Sequence, residues 1–238
     1  IYGLNDPLFD EAEGTIKNLG VDVNINSNYK YFGAIVCEAS GSISFDNCTT
    51  YGTITISVSD SGPVSGGGLL GCGGSSTYIV VMADCINNIN IEFNHSGTYY
   101  SDCALGGMVG KYLLNYCSSA FENVINNGSI TITYADDATE VCAGGIIGYI
   151  PSSTFYSNEF AVRYAKNYGN ISSATTVNAV PAYAGGITGW IEDFTEIRYE
   201  NCANYGIVST QADGCAYSGG ITGWTYDCSG IRYENCAN

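Results

Sequence analysis

The sequence is poor in the groups that bind polyanions or run hydrolytic chemistry. Lys and Arg together number 7 against 23 Asp and Glu, for a formal net charge of −16. No basic patch can therefore track a phosphate backbone, and nucleic acid is not expected as a partner. An anionic membrane surface is excluded for the same reason. His95 is the single histidine. Without a second one, a histidine-based hydrolase or a zinc site has almost nothing to work with, and His95 is expected at the surface or in a loop. No apolar run reaches the ~18 residues needed to span a bilayer, so this segment is not expected to insert in a membrane. Ile1 opens no basic-then-apolar leader, which suggests a processed or partial chain.

Other residue types are abundant. There are 31 Gly, 20 Tyr and 11 Cys, with 45% hydrophobic and only 13% charged residues. That balance excludes disorder, which needs low hydrophobicity and high charge. Gly, Thr, Ile, Val and Tyr favour strands and turns over helices. Helical start and stop signals are missing, apart from a short turn expected near "NDPLFDEAEG" (5–14).

One block recurs six times without gaps: "ISFDNCTTYGTI" (43–54), "VVMADCINNINI" (80–91), "SAFENVINNGSI" (119–130), "FAVRYAKNYGNI" (160–171), "IRYENCANYGIV" (197–208) and "IRYENCAN" (231–238). Successive blocks are 37, 39, 41, 37 and 34 residues apart. A second signature precedes most of them: "GGLLG" (67–71), "GGMVG" (106–110), "GGIIG" (144–148) and "GGITG" (185–189 and 219–223), with "FGAIVC" (32–37) as a degraded first copy. Periods of this size mark stacked repeat architectures.

Read in register, the blocks form columns. Phe45, Met82, Phe121, Val162, Tyr199 and Tyr233 share one, and Ile54, Ile91, Ile130, Ile171 and Val208 another; both should point inward. "GTITIS" (52–57) and "GSITIT" (128–133) alternate as half-buried strands do. Asn87, Asn126, Asn167, Asn204 and Asn238 share a column, with Gly128, Gly169 and Gly206 two residues later. Asn and Gly tolerate left-handed backbone at a tight corner, and stacked Asn amides can form ladders. The expected fold is all-β: a parallel β-solenoid of about six coils, about one coil per 34–41-residue repeat. Residues 1–30 form a lead-in segment or first coil, and 31–238 the repeats of a single array that continues beyond Asn238 in the full-length protein.

The tetrads Gly68-Leu69-Leu70-Gly71, Gly107-Met108-Val109-Gly110, Gly145-Ile146-Ile147-Gly148 and Gly186-Ile187-Thr188-Gly189 resemble the GLUG motif of secreted microbial surface proteins. The opening "EGTIKNLGV" (13–21) is similar to the segment that leads into such arrays. The resemblance implies a β-solenoid on a large cell-surface or secreted protein, often an adhesin, with no shared catalytic residues to carry over. Richness in Cys and Tyr departs from that pattern.

Candidate chemistry is weighed against plainer readings. Asp46, Glu122, Glu200 and Glu234 stack in one column, interrupted by Ala83 and Arg163. Adjacent coils lie ~4.8 Å apart, close to the spacing of a retaining glycosidase pair. Acids that recur at one position of a repeat belong to a scaffold, however, whereas an active site is singular. "YADDATE" (134–140) gathers Asp136, Asp137 and Glu140 without the spacing of a calcium loop, so it is read as solvated charge. Tyr149, Trp190 and Trp224 each follow a Gly-x-x-Gly tetrad. If solvent-facing, they form a ladder on which glycan rings stack; the plainer reading is that they stack on one another.

Cysteines divide into two classes. Cys48, Cys85, Cys202 and Cys236 share a column with Val124 and Ala165, which suits buried free thiols. Cys103 and Cys117 flank "GGMVG", and Cys215 and Cys228 flank the last "GGITG", whereas the copy at 185–189 has neither. Both-or-neither suggests Cys103–Cys117 and Cys215–Cys228 disulfides and an oxidising compartment, although Cys142 has no flanking partner. Sequons start at Asn47, Asn94, Asn127 and Asn170 and modestly favour secretion.

The resulting expectation is a non-enzymatic structural module of an extracellular or cell-surface protein, serving extension, filament assembly or adhesion. It would use no cofactor and no metal, and its partners would be further copies, end to end or lateral, and glycans. The alternative is a carbohydrate-binding or carbohydrate-cleaving β-helix.

Overall fold

A computed structural model describes residues 1–28, 30–58, 62–73, 78–95, 102–113, 119–135, 140–151, 160–176, 180–193 and 196–238. It is a parallel β-solenoid of about five turns. Among the described residues, strands form sheets of 12, 6 and 9 members, named here the wide, short and ladder sheets. One repeat makes one coil. Cys103–Gly106 lies in the short sheet, and the chain then turns through Gly107 and Met108. Val109–Tyr112 and Ser119–Glu122 follow in the wide sheet, then Ile125–Asn126 and Ile130–Tyr134 in the ladder sheet.

Coils pair in the register of the repeats. Phe45 stands beside Met82, Phe121 beside Val162, and Ile130 between Ile91 and Ile171. Phe45, Phe121, Tyr199, Ile130 and Ile171 are fully buried, and Val208, in the last coil, is half-buried. A coil cannot bury its apolar face alone, so the core forms only through stacking. The lead-in segment supplies a partial first coil. Phe9–Lys17 pairs with Val36–Asp46 and Gly20–Ser27 with Thr49–Val58, so the turn expected near residues 5–14 gives way to a strand.

The Gly-Gly-x-x-Gly signature is a close-approach motif. A Cβ on Gly106 would lie 2.0 Å from the Val109 carbonyl oxygen, and one on Gly110 would lie 2.3 Å from the Gly66 nitrogen in the preceding coil. Each corner is thus too tight for a side chain. Cys37 holds the Gly110 position in "FGAIVC", where, among the described residues, no preceding short-sheet strand meets its side chain.

The asparagine column forms a continuous ladder. Thr50 Oγ1 donates to Asn87 Oδ1 at 2.8 Å. Asn87, Asn126, Asn167 and Asn204 each donate Nδ2 to the next residue's Oδ1 at 2.7 Å, ending on Asn238. The same amides also donate to carbonyls two residues on, such as those of Gly128 and Gly169. These asparagines are buried inside the solenoid and are not left-handed. The left-handed corner belongs to another column, Asn47, Asp84, Asn123, Tyr164, Asn201 and Asn235, with φ between 51° and 53°. The ladder selects Asn for its amide; the corner selects it for its backbone.

Candidate functional site

Where the short sheet folds back against the wide sheet at the glycine corner, a second apolar cluster fills the slot between them. Ala104, Cys142, Tyr183 and Tyr217 enter from the short sheet, and Tyr149, Trp190 and Trp224 from the wide sheet. Tyr149 stacks on Trp190 with centroids 4.4 Å apart and planes 7° apart, and Tyr183 stacks on Trp190 at 5.1 Å. Tyr217 lies against Trp224 at 4.2 Å, inclined by 40°. Trp190 is 4% exposed, and its Nε1 is buried with no hydrogen-bond partner. An orphaned buried donor is uncommon in a folded protein.

Charged groups border the slot. Tyr149 donates its hydroxyl to Glu192 Oε2 at 2.7 Å, and Lys111 Nζ lies 5.3 Å from the centre of the Tyr149 ring and 3.9 Å from Asp102. Burial, reinforced by Asp102 and Glu192, raises the Glu140 carboxyl to about 7 despite Lys111. Burial, together with the bond to Glu192, also raises the Tyr149 phenol. The cluster therefore sets flat apolar faces beside the carboxyls of Glu140, Glu192 and Asp102 and the amine of Lys111. Sequence reasoning missed Tyr183 and Tyr217, although "AYAGG" and "AYSGG" repeat the tyrosine two residues before the double glycine. Lys111, Glu140 and Glu192 carry no repeat signal at all.

Tyr149, Trp190 and Trp224 share one column in consecutive coils, but the ladder is not open. Tyr149 is 5% exposed, and its face is taken by Trp190. The stacked acids are also in register, with Arg163 inserted beside Glu200. Desolvation of Glu200 is outweighed there by hydrogen bonds from Arg163 and Arg198, at 2.9 and 3.1 Å, which hold its carboxyl below the usual range. His95 is 3% exposed and stacks on Tyr134 at 4.3 Å, so the expectation of a surface residue is corrected. It ends the inward alternation Asn87, Ile89, Ile91, Phe93 along its strand. Asp136 and Asp137 lie outside the described residues.

Cys48, Cys85 and Cys202 are buried free thiols, and Cys236 is a half-buried one. A thiol–thiol hydrogen bond splits the first pair, lowering Cys48 and raising Cys85. The expected Cys215–Cys228 disulfide is not formed. Cys228 packs against the central core and donates to the Tyr226 carbonyl at 3.2 Å, whereas Cys215 stands exposed before the short-sheet strand that carries Tyr217. Cys103 is a buried free thiol, and its expected partner Cys117 lies outside the described residues. Cysteine pairing thus lends no support to an oxidising compartment. Asn47, Asn127 and Asn170 are exposed and Asn94 is half-buried. Asn47 donates to Asn18, and Asn127 to Asn88.

No protein-family model and no solved structure matches the chain. Among curated proteins it is similar to an immunoglobulin A1 protease of Streptococcus sanguinis, with 27% identity over 207 residues. The match covers 84% of this chain and 10% of the relative, so the chain spans about a tenth of that protein's length. This likeness overturns the expectation of a protein without enzymatic activity, because the relative is named as a protease.

Proposed function

We propose that the chain is a structural repeat module of a larger secreted or cell-surface protein, where it serves extension, assembly or adhesion. The observation that carries this reading is the uniformity of the stack. The same glycine contacts, the same asparagine ladder and the same register recur from coil to coil. A quasi-one-dimensional stack lengthens without redesign, by ~4.8 Å per coil. The GLUG-like tetrads support a surface array of the adhesin kind, and exposed sequons accord with a glycosylated one. The relative's name supports reading the larger protein as an enzyme with these coils in its architecture, and it supports an extracellular setting, where immunoglobulins occur. Protease treatment of intact cells that make the protein tests the location. Release of fragments carrying this segment is expected; recovery only after lysis contradicts the reading.

Carbohydrate binding is a second reading, favoured by the orphaned Trp190 Nε1; because Tyr149 and Tyr183 already stack on Trp190, a sugar would have to displace one of these rings. A sugar hydroxyl is an acceptor for such a donor, and its apolar ring face suits the aromatic walls. Saturable quenching of tryptophan emission by neutral oligosaccharides, lost in Trp190→Phe, supports it; emission unchanged across the titration removes it.

A further inference from the structure

Lys111, Asp102 and Glu140 form a cluster that the repeat does not explain. Lys111 interrupts the column of Glu38, Cys72, Tyr149, Trp190 and Trp224. Asp102 and Glu140 stand just before adjacent short-sheet strands, at a position filled by Pro63, Pro181 and Cys215 in other coils. The Cys103 amide donates to the Glu140 carbonyl at 2.9 Å, which fixes the two acids side by side. Lys111 Nζ lies 3.9 Å from Asp102 Oδ2, and the two side chains are only 20% and 33% exposed. The same nitrogen sits 5.3 Å from the centre of the Tyr149 ring, whose hydroxyl is taken by Glu192.

We propose that Lys111 and Asp102 join in an intramolecular amide bond, with Glu140 as the proton carrier. The inference goes beyond the structural reading above and does not depend on it. Three observations select this chemistry. The amine and carboxylate are already in contact, and the flexible lysine stem closes the remaining gap to the ~3–3.5 Å of reacting atoms. A third carboxyl stands beside them, and burial, with Asp102 and Glu192, raises it to about 7, where it takes and returns a proton near neutrality. The cluster also uses lysine, whereas the pairs Arg163–Glu200 and Arg198–Glu200 use guanidinium groups, which stay protonated and are poor nucleophiles.

The step balances without any co-reactant. Glu140 carries one proton from the Lys111 ammonium to an Asp102 oxygen. The Nζ lone pair then attacks Asp102 Cγ and forms the new C–N bond. Glu140 takes a second proton from the nitrogen and hands it to the departing hydroxyl, which leaves as water when the C–O bond breaks. Ammonium and carboxylate become amide and water, and Glu140 ends as it began. Free amines and acids do not condense in water, but groups held in place react with effective molarities of ~10⁵ M or more. The amide fastens the short sheet to the wide sheet across the corner at Gly107 and Met108.

The test denatures and reduces the full chain, weighs it, and digests it with trypsin. The chain is expected to be lighter than its sequence by one water and to resist cleavage after Lys111, because an acylated lysine is no longer a trypsin site. Lys111→Arg and Asp102→Ala should show the full mass and be cut at position 111. Glu140→Gln should leave most chains uncoupled, since loss of an acid–base group slows proton transfer about a hundredfold or more. Equal strand signals in circular dichroism separate loss of the bond from loss of the fold. Full mass and ready cleavage in the wild-type chain overturn the proposal. A water loss that survives in Lys111→Arg or Asp102→Ala lies at other residues and overturns it too. Complete coupling in Glu140→Gln overturns the role of Glu140.

Discussion

Gly107 and Asn126 stand against each other across the solenoid interior: a Cβ on Gly107 would lie 2.5 Å from Asn126 Cγ. The relationship recurs for Gly68 with Asn87, Gly145 with Asn167, Gly186 with Asn204 and Gly220 with Asn238. The first complete coil has Ala34 and Thr50 in these two places. The methyl group appears where the partner side chain is shorter, so two columns of the repeat are coupled by packing. Gly107→Ala should cost about 2–3 kcal/mol. The added Cβ also meets the Gly145 carbonyl oxygen at 2.0 Å, a contact that Asn126→Thr leaves in place. The pair Gly107→Ala with Asn126→Thr should therefore be less damaging than the sum of the single changes by only about 0.5–1 kcal/mol. Urea unfolding of the four chains checks this, and strict additivity contradicts the coupling.

The ladder should be strongest in its middle. Asn167 accepts from Asn126 and donates to Asn204 and to the Gly169 carbonyl. Asn167→Ala strands buried partners on both sides and should cost about 3 kcal/mol. Asn238→Ala, at the exposed end, should cost about 1 kcal/mol or less. Equal losses at the two positions would show that the ladder does not act as a buried network.

Tyr164 is the one aromatic residue in the left-handed corner column, with φ 53°, and it is 48% exposed. Asn fills that position at Asn47, Asn123, Asn201 and Asn235. Tyr164→Asn relieves the Cβ strain with little loss of burial and should stabilise the chain by about 1 kcal/mol. A lower melting temperature in the variant contradicts the strain.

Glu140 gives the stability a defined pH slope. Its carboxyl, raised to about 7 by burial and by Asp102 and Glu192, binds its proton more tightly folded than unfolded. The folded state thus holds more protons between about 4.5 and 7, and stability from this group falls as pH rises through that window. Glu140→Gln removes the charged form and should flatten the slope between pH 5 and 7.5, as thermal melts across that range would show. A slope of unchanged size would place its origin elsewhere.

Much of the architecture was legible because one sequence contains its own alignment. The repeat register predicted the pairing of Phe45 with Met82 and of Ile130 with Ile171, and the asparagine column predicted a ladder. Two errors came from asking a column for the wrong property. Asn126 invites a backbone role that belongs to Asn123, three residues earlier, because both columns favour the same residue type. His95 reads as a surface or loop residue by its rarity, whereas its alternation with Phe93 and Ile91 points inward. The slot was legible only as a column. Whether Trp190 faces water depends on a second sheet folding back over it, and no local pattern records that closure. Cys215 and Cys228 flank a corner symmetrically in sequence, yet one packs on the core and the other stands exposed.

The central claim is that one repeat is one interchangeable coil, and removal of a whole coil tests it most directly. Asn126 and Asn167 occupy the same register in adjacent coils, so deleting residues 127–167 joins Asn126 to Tyr168 without disturbing either neighbour. Thermal unfolding followed by circular dichroism is the measurement. The account predicts a chain 41 residues shorter that keeps its strand signal per residue and melts cooperatively. A disordered spectrum with no transition would contradict it, because a fold that cannot lose a coil is not built from coils.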